Sequence, residues 1–345
     1  MNFHIINPLS DTRWDVLVAR HPRASVFHER GWLEALSRTY NYQPFVLTST
    51  PPGQQLSNGL VLCRVSSWIT GTRWVSLPFA DYCDPLLNDR GGLSEFMNAL
   101  REECDRRIWR YVELRPMSYI EESSIFTPKQ AYCLHTLDLS PTVERIFHSL
   151  HKDSVQRRIR HAERAGISYE IGRSRQLVEE FYRILVMTRK RHRVPPQPRA
   201  WFQNLVEYMG DKVEIRLARK GDIPIAALLS LRHRSSVVNK YGCSDARFHH
   251  FGGMPFLLWK LIEESKASGA QEIHLGRSDL DNQGLITFKD RFGTTKKLIT
   301  YVRYPQAGTL GATSRWAAQA IHELFSITPN ALLPTLGRVL YRHIG

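Results

Sequence analysis

No stretch of this 345-residue chain offers the roughly 20 consecutive apolar residues that a membrane-crossing helix needs. The N-terminus, M-N-F-H-I-I-N-P-L-S-D, lacks the basic flank and apolar run of a signal peptide. A cytoplasmic protein is expected, with any membrane contact peripheral. Cysteine is scarce: Cys63, Cys83, Cys104, Cys133 and Cys243 stand far apart, and none forms a C-x-x-C pair. That spacing excludes a disulfide framework and reads as reduced thiols. Also missing are the phosphate loop G-x-x-x-x-G-K-[ST], G-x-G-x-x-G, G-x-S-x-G and H-E-x-x-H, which counts against kinase, dehydrogenase, hydrolase and zinc chemistry. His249-His250 is too isolated to suggest a metal.

Acidic residues are also in short supply. Lys and Arg number 47 against 33 Asp and Glu, a difference of +14. Such an excess favours an anionic partner: tRNA, a phosphate-bearing cofactor, a sugar nucleotide or an anionic membrane. The length suits two domains of about 100–200 residues. Periodicity predicts helices at His28–Tyr40, Gly91–Arg107, Pro141–Leu150 (capped by Ser140), Arg173–Arg191, Arg199–Met209 and Phe251–Ser268. Strands are expected at Val213–Arg219, Ile223–His233 and Ser235–Tyr241, with others on either side. Three strands in series favour a mixed α+β sheet over a doubly wound one. The boundaries read 1–140, 141–306 and a tail over 307–345. In the tail, Ser314–Phe325 is helix-like, and Leu332, Leu333, Leu336, Val339, Leu340 and Ile344 form an apolar stripe beside Arg338, Arg342 and His343. It reads either as a helix docked on the protein's own surface or as an interfacial membrane helix.

Four segments could carry chemistry. In His151–Gly166 a helical wheel puts Val155, Ile159 and Ala162 on one face. Arg157, Arg160, His161 and Arg164 fall on the other, with Lys152 and Arg158 at the flanks. The outer face is either simply solvated or binds anions, since only Asp153 and Glu163 offset its charge. The run Arg189 to Arg193 exceeds what a helix C-terminus needs for its dipole, and the Pro-rich loop after it could shape an acceptor pocket. Tyr241-Gly242-Cys243-Ser244-Asp245 ends a strand and Phe251-Gly252-Gly253 opens a helix, where free N–H groups can hold phosphate or carboxylate. Finally, Leu275–Gly293 (L-G-R-S-D-L-D-N-Q-G-L-I-T-F-K-D-R-F-G) leaves a strand through a polar loop with Asp279 and Asp281, then presents Phe288-Lys289.

Taken in order, a basic K-x-x-x-x-R-R-x-I-R-x-A-x-x-x-G helix, Y-G-x-S-D, a Gly-opened helix, L-G and F-K-x-x-F-G resemble the Fem-type peptidoglycan aminoacyltransferases, a branch of the GNAT superfamily. Within that branch the chain looks most like the FemAB-related proteins of exosortase and exopolysaccharide systems. L-P-F-x-x-Y-C-x-P-L at Leu77–Leu86 and V-E-L-R-P at Val112–Pro116 carry that likeness, together with the L-Y-R-H-I-G end. The resemblance implies two tandem GNAT-like domains, the second catalytic, followed by a basic helical tail. It implies that Lys289, beside Phe288, stabilises the transition state of acyl transfer, that Tyr241 lines the same cleft, and that Lys152, Arg157, Arg158 and Arg160 meet anionic substrate phosphates. Asp279 is the expected proton relay; Arg277, Gly252, Gly253, Tyr82 and Arg115 complete the expected binding set. The pyrophosphate loop of the superfamily, Q/R-x-x-G-x-G/A, is present only as a loose Arg247-to-Gly253 version. Nor is the coiled-coil arm of some Fem enzymes evident. No tightly bound cofactor is expected, and the donor is either aminoacyl-tRNA or acyl-CoA. The acceptor is an amine on a cell-envelope glycan or a peptidoglycan (muropeptide) precursor. An acyl-CoA- or acyl-carrier-dependent N-acyltransferase of exopolysaccharide synthesis, and a non-catalytic basic adaptor for RNA or membrane, remain as alternatives.

Overall fold

The computed structural model describes residues 2–68, 71–88, 91–107, 109–118, 125–305 and 333–344. Among them the chain forms two compact units: residues 2–132, 299–305 and 338–344 in one, and 133–298 with 333–337 in the other. Both mix strands and helices, as expected of an α+β protein. The expected helix at Ser314–Phe325, and Leu332 of the tail's stripe, lie outside the described residues.

The first unit orders its strands β1-β2-β3-β4-β5-β12: His4–Ile6, Gln43–Thr48, Leu60–Val65, Arg73–Val75, Tyr111–Leu114 and Thr295–Tyr304. Neighbours are antiparallel except β4 and β5, which run parallel with α3 (Gly91–Arg107) between them in the chain. A parallel neighbour needs such a crossover. The apolar stripe of α3 (Phe96, Met97, Leu100, Cys104) packs with Leu60, Leu62, Val112 and Leu114 of the sheet. The segment after β4 is irregular yet buried, and Leu77 and Phe79 hold positive φ there (50° and 64°). The final helix, α10 (Leu333–Ile344), ends against this unit. Tyr42 donates to the Tyr341 carbonyl (2.6 Å), Arg73 donates to that of His343 (2.7 Å), and Ser67 Oγ lies 2.8 Å from His343 Nδ1.

In the second unit the order is β6-β11-β10-β9-β8-β7: Thr127–Asp138, Glu272–Asp279, Ser236–Ser244, Ile223–His233, Val213–Lys220 and Ile167–Gly172. The sequence of β9, I-P-I-A-A-L-L-S-L, shows no alternation because both its faces are covered. Helices α6 (Arg175–Arg191) and α8 (Gly253–Ala267) each touch β8, β9 and β10, and α7 (Arg199–Met209) packs beside α6. The core around α8 is completed by α4 (Val143–Ser149) and α5 (Arg157–Arg164). The wheel drawn from sequence holds: Val155, Ile159 and Ala162 are buried, and Arg157, Arg160, His161 and Arg164 are exposed. A π-type turn at Lys152–Gln156 precedes α5, so the basic segment is not one regular helix.

Several boundaries differ from expectation. The helix expected from Pro141 begins at Val143, because Thr142 rather than Ser140 caps it, accepting from Arg145 N at 3.3 Å. Ser140 instead donates to the Asp138 carboxylate (2.7 Å). The strand expected to end at Tyr241 continues to Ser244, held by Gly242↔Leu228, Cys243↔Ala227 and Ser244↔Ala226 on β9. The helix expected from Phe251 starts at Gly253, after a 3-10 turn at Ala246–Phe251.

On β6, fully buried His135 sets Nε2 3.2 Å from Asp290 Oδ1 at the end of α9 (Gln283–Asp290). Burial, and then the nearby Lys289 charge, push its pKa below the ordinary 6.5. The folded ring therefore refuses a proton that the unfolded ring accepts.

Two outcomes follow for stability. Ile159→Ala empties part of the core beneath α5 and is expected to cost about 2–5 kcal/mol in urea unfolding, whereas exposed Arg160→Ala stays within about 0.5 kcal/mol. The His135 contribution is present above pH 6.5 and is lost as pH falls through that value towards the depressed folded pKa. Comparing urea midpoints at about pH 7.5 and about pH 5.5, His135→Gln should flatten this part of the pH dependence. An unchanged slope would assign the effect to other groups.

Candidate functional site

Strands β10 and β11 run parallel and pair at Ser236↔Glu272, Val237↔Ile273 and Val238↔His274. Beyond those pairs β10 turns to β9 alone, with a bulge between Asn239 and Tyr241. A bulge bends its strand and raises its twist, so the two C-terminal ends separate. A cleft of about 290 Å³ lies at the C-terminal end of β10, lined by Ile225 and Ala226 of β9, Ser244 of β10, and Phe248, His249 and Gly252 of the turn. Gly253, Met254 and Pro255 of α8 and Phe288 of α9 complete the lining.

The N-terminus of α8 forms one wall. Gly252 sits at φ 76°, and a Cβ there would lie 2.6 Å from the Arg158 carbonyl oxygen, so only glycine lets α5 pass this close. No side chain caps α8, and Pro255 brings no N–H of its own. The N–H dipoles of this first turn are thus directed at the cleft. Arg158 donates to the His250 carbonyl (3.0 Å), fixing the turn to α5.

Ser244 and His249 form the polar side, with Ser244 Oγ 2.9 Å from His249 Nε2. Ser244 is pinned to α6: its N–H donates to Thr188 Oγ1 (2.9 Å), and its carbonyl accepts from Thr188 Oγ1 (3.0 Å) and Arg191 (3.1 Å). Burial, then the Arg191 and Asp245 charges acting in opposite senses, set His249 below the ordinary imidazole pKa. A neutral imidazole can accept a proton at pH 7.

Opposite them, α9 is capped by Asn282, whose side chain accepts from Leu285 N (3.1 Å). The Phe288-Lys289 pair divides in two directions. Phe288 lines the cleft and meets Phe292 edge-on at 5.3 Å. Lys289 is only 6% exposed, and its ammonium donates to the carbonyls of Gly276 (2.7 Å) and Arg277 (3.2 Å) and to Ser278 Oγ (2.9 Å). Gly276 lies at φ 72° within β11, a left-handed kink where two successive carbonyls reach one ammonium.

Of the residues named from sequence, Phe288, Gly252 and Gly253 line this cleft, and Arg158 braces it. Asp279 is exposed at the end of β11 and gives its carbonyl to Asn282 N (3.0 Å). Arg277 is half-buried, its carbonyl on Lys289. Tyr241 is buried toward α7, its hydroxyl accepting from Trp201 Nε1 (2.9 Å) with Phe202 5.1 Å away. Lys152 is exposed, Arg157 pairs with Asp153 (3.1 Å), and Arg160 covers the Phe147 ring (5.3 Å). Tyr82 and Arg115 belong to the first unit. There Tyr82 packs edge-on to Phe27, and Arg115 lies over Tyr301 while donating to Glu113 (2.9 Å) and the Leu77 carbonyl (3.0 Å). Sequence reasoning missed Ser244, His249 and Phe248. The signal available was the polar-aromatic spacer between the Y-G-C-S-D strand end and Gly252.

The family profile of the Acetyltransferase (GNAT) domain matches residues 149–289, which span α5, the cleft and the Phe288-Lys289 pair. No curated protein sequence matches the chain. Among solved structures, FemX aligns at TM-score 0.69 and 14% identity, over 93% of this chain and 100% of that one. A tandem GNAT protein from the clavulanic acid biosynthesis pathway aligns at TM-score 0.53 and 14% identity (89% and 98%). The C-terminal domain of a putative lysylphosphatidylglycerol synthetase from Agrobacterium fabrum aligns at 0.52 and 13% (90% and 95%). At these identities the likeness is one of fold, and it covers the tandem arrangement expected from sequence. Residues 149–289 are therefore a GNAT acetyltransferase domain, in a chain whose fold is shared with FemX.

Proposed function

We propose that this enzyme forms an amide by moving an acyl or aminoacyl group from an activated, phosphate-bearing donor to an amine on a cell-envelope glycan or peptidoglycan precursor. The observation that carries the reading is the cleft at the C-terminal end of β10, with the uncapped N-terminus of α8 on one side and Phe288 on the other. Aligned N–H dipoles attract phosphate, and the apolar walls (Ile225, Ala226, Met254, Phe288) suit the less polar part of a donor. The net charge of +14 steers anions towards such a site. The resemblance to Fem-type enzymes supports the glycan or muropeptide amine as acceptor. The donor is acyl-CoA or aminoacyl-tRNA, both of which carry phosphates as well as an activated carbonyl.

In this reading the amine attacks the carbonyl carbon, the C=O electrons move to oxygen, and the leaving thiolate or ribose oxygen departs as the intermediate collapses. The amine must lose a proton. His249, braced by Ser244, takes it at the cleft, and Asp279, exposed at the end of β11, is the expected relay to solvent. Lys289 acts from behind Phe288. Its ammonium locks α9 to β11, fixes the aromatic wall, and lends positive charge to the side on which the oxyanion develops. Tyr241, tied to Trp201, braces the bulge.

The test is amide formation by the purified chain, read by mass spectrometry, with acetyl-CoA or an aminoacylated minihelix as donor and amino sugars or muropeptides as acceptors. Lys289→Met is expected to lower kcat about 100-fold, since small misplacements at a reacting centre cost that much. It should also lower the melting temperature by leaving two strand carbonyls unmet. A folded Lys289→Met chain with undiminished turnover would remove the residue from the mechanism. Absence of product with every donor would sink the reading itself.

A further inference from the structure

The turn that joins β3 to β4 carries Trp68, which is 88% exposed. Tryptophan is highly buried on average, and every other tryptophan among the described residues is buried or half-buried. The position of this one is fixed from both sides. Ser67, the residue before it, is buried with its Oγ 2.8 Å from His343 Nδ1, and its carbonyl accepts from the Gly71 N–H (2.8 Å). The His343 ring meets the indole nearly at a right angle, 5.9 Å away. Exposed Arg110 borders the same turn: its N–H donates to the Thr72 carbonyl (2.9 Å), and its side chain lies 3.6 Å from where a Cβ on Gly71 would stand. From His343 the surface continues along α10. The inner side of that helix is held by the Tyr341 and His343 carbonyls and by the Tyr341 ring, 5.5 Å from Phe79. On its outer side Arg338, Val339 and Arg342 are exposed, and His343 is half-buried. Residues four apart are neighbours on a helix, so Arg338 with Arg342 and Val339 with His343 form two adjacent rows, the second leading to Trp68.

An indole left in water adds nothing to the stability of the fold, since only apolar area removed from water contributes. Its surroundings decide what it meets. The centre of a protein–protein contact is depleted of charge, whereas this ring protrudes beside cations, with Val339 (53% exposed) as the apolar companion on α10. Neither α10 nor the sequence from Ser66 to Arg73 contains an Asp or Glu to offset them. A bilayer surface suits that combination. The indole sits at the level of the headgroups, where its apolar ring and its N–H are both satisfied, and arginines beside it meet lipid phosphates. The net charge of +14 draws the chain towards an anionic leaflet. No helix among the described residues is long and apolar enough to cross a membrane, so the contact is one of surface. We propose that Trp68, together with Arg338, Val339 and Arg342 of α10, is a docking surface for an anionic lipid bilayer. The two readings of the tail's stripe then apply to opposite sides of one helix: the inner side packs on the protein, and the outer side faces lipid. This inference goes beyond the acyl-transfer reading and does not depend on it.

The experiment is co-sedimentation of the full chain with vesicles of phosphatidylcholine alone, or of equal parts phosphatidylcholine and phosphatidylglycerol. Wild type is expected to pellet with the anionic vesicles and to stay in solution with the neutral ones. Trp68→Ala should bind about tenfold more weakly, and Trp68→Phe, which keeps an apolar ring, within about threefold of wild type. Replacing both arginines (Arg338→Gln with Arg342→Gln) should weaken binding about 25-fold, at about fivefold per cation. All of these side chains are exposed, so the variants should melt with wild type. A second readout locates the indole: lipids brominated in the acyl chain should quench wild-type fluorescence, and most of that quenching should vanish in Trp68→Phe. Equal pelleting with both vesicle types overturns the proposal, as does anionic binding that Trp68→Ala leaves unchanged, or quenching that persists in Trp68→Phe. Absence of binding to either vesicle also overturns it and assigns the surface to a protein partner.

Discussion

A buried ammonium is tolerated only where acceptors replace the water it has lost. Lys289 meets that requirement with two carbonyls and a hydroxyl at the end of β11, so the end of α9 cannot shift without stranding a charge. The geometry of the cleft follows from this tie. Phe288, the residue before it, projects about 100° round the helix from Lys289 and forms the cleft wall. Gly276 is part of the same device: its positive φ kinks the strand where two successive carbonyls meet one ammonium. Asp290, one residue on, adds the pairing to His135, so consecutive residues of α9 anchor it to β11 and to β6.

The opposite wall is set by a second close approach. With the Arg158 carbonyl beside Gly252, α5 lies against the turn that opens α8, and the apolar face of α5 is buried beneath. Stability and site are coupled here. Val155, Ile159 and Ala162 hold the helix whose backbone limits residue 252 to glycine, and that restriction exposes the N–H groups of α8. The exposed cations of α5 contribute to the field around the site rather than to its walls. Arg157 and Arg160 are occupied by Asp153 and Phe147, and only Arg158 touches the turn.

Much of this was legible in the sequence where local pattern decides. The 3.6-residue period of Val155, Ile159 and Ala162 gave the buried face of α5, and the glycines before Met254 marked a helix start. Other features were not legible, because they depend on partners distant in sequence. Gly242-Cys243-Ser244 reads as a turn, yet pairing with Leu228, Ala227 and Ala226 keeps it in the strand. The direction of Tyr241 was hidden by the bulge after Asn239: one extra residue shifts the register and exchanges the faces. Lys289 shows in sequence only as a lysine after an aromatic, and its acceptors lie up to 13 residues earlier on another element.

The irregular spacer between β10 and α8 shows how a pattern reader loses a site. A-R-F-H-H-F has neither helical nor strand period, so it reads as a connection, and its histidines invite a search for a metal that their isolation then refuses. In the folded chain each ring has a position fixed from outside the spacer. Ser244 holds His249, Arg158 holds the carbonyl of His250, and His161 stacks on Phe251. A loop positioned this way by a rigid scaffold is where binding groups concentrate. The end of β10 leaves a cleft, the glycine start of α8 directs N–H dipoles into it, and the spacer lends it Phe248 and His249. The cleft and the glycine start of α8 are thus held by strands and helices far apart in sequence, on a fold the chain shares with its structural relatives.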